Sequence, residues 1–516
     1  MLLINFLENS AELLPDKVAI KCRGQSSTYR EIHAASNSFS HTILEAGFSR
    51  HDRAIIFLDN SIESVVALFA IVKAGGVFVI VSPQVKPRKL RYIMEDCQAT
   101  LLITDLDNLG KITEAISSLL DLKVIIPIDH DMTTPKIDLP KRLKLISYSH
   151  VIKNVPLQYI KERCIDVDLV SLIYTSGSSG NPKGVMLTHH NMVSAADSII
   201  QYLENTRDDI IMDALPLAFD YGLYQILMSF RFGGTVILEK GFTYPQQIID
   251  LVIREKVTGW PLVPTMAAIL IRLKNLAKLD FSNLRYITTT GQLFPPKHIL
   301  QIRKLFPEVK FFSMYGLTEC KRVSYIDPEK LDGRLNSVGK PMPNVEAYIV
   351  DNKGREITEA KKPGELVVRG SNVMQGYWKL PQDTRRVLCP GTYPGEKVLY
   401  TGDIFEKDDE GYLYFLSRKD DIIKTAGFMV SPKEVENVLY EMEDVVGAAV
   451  IGVDDSILGK AIKAFIQLKD ASNITEEDIL SFCSERLEQY SVPKYIKICQ
   501  KLPLTETGKI SKRNLA

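Results

Sequence analysis

Leu172-Ile-Tyr-Thr-Ser-Gly-Ser-Ser-Gly-Asn-Pro-Lys-Gly184 is the stretch on which the reading of this chain turns. An apolar run leads into a loop of Thr175, Ser176, Gly177, Ser178, Ser179 and Gly180, and Lys183 follows. Small residues let successive backbone N–H groups face a phosphate, and the hydroxyls add donors. Lys183 adds a point charge. The segment is not a Walker A loop, which needs Gly-x4-Gly-Lys followed by Ser or Thr and then directly a helix. Here Gly180 is followed by Asn181-Pro-Lys-Gly184 and the apolar Val185-Met-Leu187, so the next helix is predicted only near Thr188. The loop therefore predicts phosphate binding without requiring transfer of a terminal phosphoryl group.

On both sides of this loop, strand and helix signals alternate. Arg53-Ala-Ile-Ile-Phe-Leu58 is a buried-strand run, Ser61–Lys73 has helical spacing and ends at Gly75-Gly76, and Val77–Val81 is a second strand. Pro87–Cys97 is an amphipathic helix, with further strands at Leu101–Thr104 and Lys123–Ile126. Such alternation predicts α/β layers about a mostly parallel sheet, resuming from Val167 to about Phe312. From about Ser337 to Phe415, short strands such as Glu346–Val350 and Gly364–Val368 are broken by Gly, Pro and Asp, which reads as a small β subdomain. After Arg418 the pattern changes again. Ser431-Pro-Lys-Glu434 predicts a capping box, with Val435, Val438, Leu439 and Met442 on one helical face. Strands at Val445–Val450, Lys460–Leu468 and Tyr495–Cys499 and a helix at Thr475–Gln489 complete a separate unit. The expected fold is α/β. A large N-terminal domain (1–417) holds two α/β sheet subdomains and a small β-barrel-like subdomain (about 337–417). A mobile α+β C-terminal domain covers 418–516.

Composition excludes several classes. The 516 residues suggest about three folding units at roughly 150 residues each. Lys+Arg and Asp+Glu are both 63, so there is no global electrostatic case for nucleic acid or an anionic membrane. No apolar run approaches the roughly 20 residues that span a bilayer. The N-terminus lacks a basic n-region, so the chain is expected to be cytoplasmic. Seven scattered cysteines without a Cys-x-x-Cys pair predict neither disulfides nor a cysteine zinc site. His189-His190 is the one close histidine pair, and adjacent helical positions diverge.

Five segments in order carry a resemblance. Thr175–Gly184, Met314-Tyr-Gly-Leu-Thr-Glu319, Tyr400-Thr-Gly-Asp403, Arg418-Lys-Asp-Asp-Ile-Ile-Lys424-Thr-Ala-Gly427 and Pro503-Leu-Thr-Glu-Thr-Gly-Lys509 span nearly the whole chain. Together they resemble the adenylate-forming superfamily of acyl-CoA synthetases, nonribosomal peptide adenylation domains and firefly luciferase. The resemblance implies that ATP and Mg²⁺ convert a carboxylic acid to an acyl-AMP, with release of pyrophosphate, before a thiol takes the acyl group. It implies that the Thr175–Lys183 loop holds the departing phosphates, that Thr318 meets the α-phosphate and that Glu319 helps bind Mg²⁺. Tyr315, next to Gly316, would stack on adenine, and Thr290-Gly291-Gln292 would line its pocket. Asp403 and Arg418 would meet the ribose. Lys509 would bridge the acid and the α-phosphate. Asp420 would be the hinge of a rotation that brings the Lys424–Gly427 loop in to form a thiol tunnel. Ser417, where relatives often carry Gly, and Thr425-Ala426, where peptide-synthetase domains carry a basic residue, depart from the pattern.

The acid is read from Leu215-Pro-Leu-Ala-Phe-Asp-Tyr-Gly222. Amino-acid adenylation domains carry Phe-Asp here, and that aspartate pairs with the α-ammonium. Many acyl- and aryl-CoA ligases carry Phe-His or His-His. Asp220 matches the amino-acid form. The competing reading is a structural Asp paired with a protein cation, with Arg322 the candidate partner. Tyr221, Tyr224, Pro261, Thr288, Thr290, Met314, Arg322 and Val323 align with the pocket and suggest a small or cyclic apolar amino acid, proline first. No Gly-Gly-x-Ser phosphopantetheine site occurs, so the thiol would arrive in trans, on a carrier protein's pantetheine arm or as coenzyme A. An acyl-CoA ligase acting on a fatty or aryl acid is the alternative. A non-catalytic nucleotide-binding scaffold is opposed by Lys183, Glu319, Asp403 and Lys509, and a phosphotransferase by the missing Walker spacing.

Overall fold

The computed structural model describes residues 1–128, 139–153, 164–175, 182–291, 294–419, 421–425, 428–455, 459–470, 472–505 and 510–515. The alternation seen in sequence becomes two large sheets and a third, smaller one. The eight-stranded sheet is built on Arg53–Phe57, Val77–Ile80, Ala99–Asp105 and Val124–Ile128, all parallel. Its other edge is a hairpin of β1 (Leu169–Thr175) and β2 (Lys183–Thr188), followed by the two-residue β5 (Gly376–Tyr377). Continuous Ile, Val and Leu runs suit strands covered on both faces. Helix Ile62–Lys73 is capped by Ser61, and Val65–Val72 is buried throughout. Lys73 stays buried there because its ammonium meets Glu8 at 2.9 Å. The helix after the phosphate loop starts at His189, with the Thr188 hydroxyl accepting from Asn191 N at 3.1 Å. His189 is no metal ligand candidate. Its Nδ1 accepts from Leu3 N at 3.0 Å, and burial pushes its pKa down to about 4.

The fourteen-stranded sheet contains β3 (Tyr286–Thr289) and β4 (Lys310–Tyr315) in its parallel half. Beyond β4 it turns antiparallel and runs on through Ser324–Tyr325, Ser337–Pro341, β7 (Leu413–Arg418) and β6 (Lys397–Lys407). The region expected to be a small β subdomain of the large domain is hydrogen-bonded into the second sheet. Ser324–Tyr325 makes the join, pairing with strands on both sides. Gly339 permits it: at φ +84, a Cβ there would lie 1.7 Å from Tyr325 O.

Residues 423–499 form a five-stranded sheet with two helices and their own apolar core, including Val435, Leu439, Val450, Ile466 and Ile479. Ser431 caps α3 (Pro432–Glu441), but not as the capping box expected. Its hydroxyl accepts from Lys433 N at 3.2 Å, one residue early, and donates to Leu416 O. The hydroxyl is therefore turned toward the strand behind it, away from Glu434. The helix expected over 475–489 ends at Ser484, and beyond it bonds from Glu485 N to Ser481 O and from Arg486 N and Leu487 N to Cys483 O close a last turn. Lys297 Nζ donates to Met442 O at 3.2 Å, and His298 sets its ring edge on Tyr440, so this unit touches the large one. Among the described residues no helix is long and apolar enough to cross a membrane.

Candidate active site

β4 ends at Tyr315, and the chain doubles back at once into Ser324–Tyr325. Val323 N donates to Tyr315 O at 2.9 Å and Lys321 N to Leu317 O at 2.6 Å. The turn needs glycine at 316, where a Cβ would lie 1.8 Å from Lys321 O, and it puts Lys321 at φ +63. This tight loop presents Thr318 and Glu319. Glu319 is held twice: its carbonyl accepts from Met374 N at 2.8 Å, and its Oε1 accepts from Tyr377 Oη at 2.8 Å. Lys321 is itself buried, and its ammonium donates to Thr318 O at 2.9 Å. Burial brings its pKa down to about 8, against the opposing pull of Asp220 and Glu319.

Asp403 lies beside this loop, on β6. Tyr315 Oη donates to its Oδ2 at 2.6 Å. Arg418 Nε, at the end of β7, sits 3.1 Å from Oδ1, an ion pair that is not aligned as a hydrogen bond. Oδ1 is thus a buried acceptor with no donor. Burial raises the Asp403 pKa above the ordinary carboxylate value, and Arg418 opposes it. Across the cleft, Thr175 and Lys183 face each other in the β1–β2 register. Lys183 Nζ lies 5.3 Å from the centre of the Tyr377 ring and 3.4 Å from Asp383 Oδ1, on α2 (Pro381–Val387). Gly291 is at φ +85, and the buried Thr290 hydroxyl has no partner among the described residues. These residues fit a nucleotide: an orphan carboxylate oxygen suits a ribose hydroxyl, an orphan threonine hydroxyl suits a base edge, and Lys183 suits phosphate.

The residues expected to line the acid pocket come from elements far apart in sequence. Asp220 and Tyr221 open α1 (Asp220–Phe232). Tyr221 Oη and the Thr288 hydroxyl of β3 are 2.6 Å apart, and Pro261 is paired with Thr288 on the next strand. Met314 Sδ accepts from Tyr202 Oη, and Tyr224 and Val323 are fully buried. Arg322 lays its guanidinium on the Tyr221 ring at 4.7 Å. It does not pair with Asp220, whose candidate partner it is on the competing structural reading. The cation whose field reaches Asp220 is Lys321. Asp220 is only 7% exposed, and among the described residues it makes no hydrogen bond or ion pair.

Other expected residues lie outside the described ones: Ser176, Gly177, Ser178, Ser179, Gly180, Gln292, Asp420, Gly427 and Lys509. Lys424 is described only in its backbone, paired with Met429. Lys321, Tyr377 and Asp383 were not anticipated. Lys321 follows Glu319 by two places, and nothing in local spacing announces a buried lysine in the left-handed region. Tyr377 and Asp383 reach the site only through the register of β5 against β2, which pairs Tyr377 with Val185.

A nucleotide cradle beside a buried acid pocket, with a smaller C-terminal unit against it, is the arrangement of an adenylate-forming enzyme, an AMP-forming acid–thiol ligase. The chain belongs to that superfamily: the family described as "AMP-binding enzyme" matches residues 7–378, and "AMP-binding enzyme C-terminal domain" matches 434–509. Enzymes of this superfamily use ATP and Mg²⁺. The chain is 31% identical to a long-chain-fatty-acid–CoA ligase of Escherichia coli O157:H7, over 99% of this chain and 94% of that one. It is 26% identical to gramicidin S synthase 2 of Brevibacillus brevis, over 98% of this chain and 11% of that one. Among solved structures it is similar to the anthranilate CoA ligase AuaEII in complex with anthranoyl-AMP. There the TM-score is 0.90 at 26% identity, covering 100% of this chain and 96% of that one.

Proposed function

We propose that this ligase adenylates a small amino acid, L-proline being the first to test, and passes it to the phosphopantetheine thiol of a separate carrier protein in the cytoplasm. Asp220 is the observation that supports this reading. A buried carboxylate without a donor is costly, and a substrate α-ammonium supplies both charge and hydrogen bonds. In the first half-reaction a substrate carboxylate oxygen attacks the α-phosphorus of ATP, and pyrophosphate leaves. In the second the thiol sulfur attacks the acyl carbon, and AMP leaves.

The same proposal gives each residue its work. Lys183 and the Thr175–Gly180 loop hold the leaving phosphates, and Thr318 the α-phosphate. Glu319, steadied by Tyr377, would hold Mg²⁺, whose preference is for carboxylate oxygen. Mg²⁺ would neutralise phosphate charge there. Tyr315, Gly291 and Gln292 border adenine, while Asp403 and Arg418 take the ribose. Lys509 bridges the acid and the α-phosphate. Asp420 is the hinge at the 417/418 boundary, with Lys424 and Gly427 at the thiol tunnel.

A second reading is coenzyme A ligation of a fatty or aryl acid. It is favoured by the curated relatives that match the chain end to end, which are named CoA ligases, and these weigh more for it than for a carrier protein. ATP–pyrophosphate exchange across the twenty amino acids plus benzoate, salicylate and octanoate separates the two. Exchange with one amino acid is the expected result. Exchange only with the other acids assigns Asp220 a structural role and makes coenzyme A the thiol.

A further inference from the structure

Lys183 already has a carboxylate beside it. Its ammonium is 3.4 Å from Asp383 Oδ1 and lies over the Tyr377 ring, with both side chains largely covered, at 17% and 26% exposure. The contact is built from three tied elements. β2 carries Lys183 and pairs with β5, so Tyr377 lies beside Val185. Tyr377 N in turn donates to the Thr384 hydroxyl at 2.9 Å, which fastens α2 and its Asp383 to the same edge. Among the described residues the other partner of Asp383 is Arg386, at 3.3 Å and 76% exposed, a pair in solvent that holds little. The tyrosine in this sandwich also donates to Glu319.

We infer that Asp383 is a counter-ion that holds Lys183 when no phosphate is present and opposes phosphate when it arrives, so that it weakens nucleotide binding and hastens pyrophosphate release. The inference rests on the assignment of Lys183 to the phosphates. The physical case is a competition. ATP phosphates need the Lys183 ammonium, and a fixed carboxylate within 4 Å of it both competes for that charge and repels theirs. The repulsion acts most on free pyrophosphate, whose whole charge lies at this end of the site. Charge opposed to a leaving product favours turnover where release is slow.

Equilibrium binding of Mg²⁺–ATP and of Mg²⁺–pyrophosphate to the full-length enzyme tests this without knowledge of the acid. Asp383→Asn is expected to bind both about 2- to 5-fold more tightly, as for loss of a partly exposed charge pair. The gain should shrink as salt is raised to about 0.5 M. In a Lys183→Met background the Asp383→Asn gain should shrink to the part that direct repulsion supplies, because the contested cation is gone. Unchanged or weaker binding by Asp383→Asn overturns the inference, as does a gain undiminished in the Lys183→Met background. If Lys183→Met alone leaves ATP binding intact, the phosphate assignment of Lys183 has failed instead. Asp383→Ser gives the same comparison should Asp383→Asn not fold.

Discussion

Asp403 and Asp220 are both buried aspartates of one cleft, yet their surroundings differ. Asp403 is held by Tyr315 Oη at 2.6 Å and by the Arg418 guanidinium, so its position is fixed before any ligand binds. The Asp220 carboxylate has no hydrogen bond or ion pair among the described residues, and Lys321 is a cation its charge reaches. On the proposed roles the nucleotide side is therefore preorganised, whereas the acid side leaves a charge for its ligand to neutralise. Preorganised donors serve a reaction common to many acids. An unmet charge serves discrimination, because an acid without the matching cation leaves it stranded.

The sharpest way to break this comparison lies outside both aspartates. Lys509→Ala should lower adenylation about 100- to 1,000-fold, as for loss of one transition-state donor, while thioester formation from supplied acyl-AMP persists. Equal loss of both steps would remove Lys509 from the first half-reaction. Next, Asp220→Ala should raise the KM for the amino acid about 30- to 100-fold and leave ATP binding unchanged. An unchanged KM would make Asp220 structural, and the two aspartates would then differ only in packing.

These two tests address residues that sequence reading found, but by different routes. Motif residues such as Thr318, Glu319 and Asp403 were legible because their chemistry is local: a tight turn requires Gly316, and Thr318 and Glu319 follow it. The alternation of strands and helices was legible because buried parallel strands leave continuous apolar runs. The joining of the β subdomain to the second sheet was not, since it rests on a two-residue strand and on Gly339 against Tyr325. Neither was the Lys321 ammonium, nor the Lys183–Tyr377–Asp383 sandwich. Those depend on a backbone angle and on a strand register that brings residues nearly 200 positions apart into one place.

Asp403→Asn should sharpen the comparison by moving stability and function in opposite directions. In the proposed role its charge meets the ribose, so the KM for ATP should rise about 10- to 30-fold. Burial raises the Asp403 pKa in the folded protein. The ionised form is therefore a cost to folding above that pKa, and the cost is relieved as pH falls through it. Asp403→Asn should then unfold at a slightly higher temperature than wild type at neutral pH, with the advantage disappearing on acidification. A variant that loses stability at neutral pH would mean that the Tyr315 and Arg418 contacts outweigh desolvation.

The smallest effect concerns what holds Glu319. Tyr377→Phe removes the donor to the Glu319 carboxylate, while the backbone carbonyl of Glu319 keeps its bond from Met374 N. The backbone of the 316–322 turn should stay in place, and only the carboxylate should gain freedom. We expect a rise of about 3- to 10-fold in the Mg²⁺ needed for half-maximal pyrophosphate exchange, with little change in the KM for the acid. The split matters more than its size. A merely structural tyrosine would shift both parameters together, through the packing of β5 on β2. If the Mg²⁺ requirement alone moves, the preorganisation seen at Asp403 extends to Glu319. The acid pocket is then the one part of the cleft whose charge waits for its ligand.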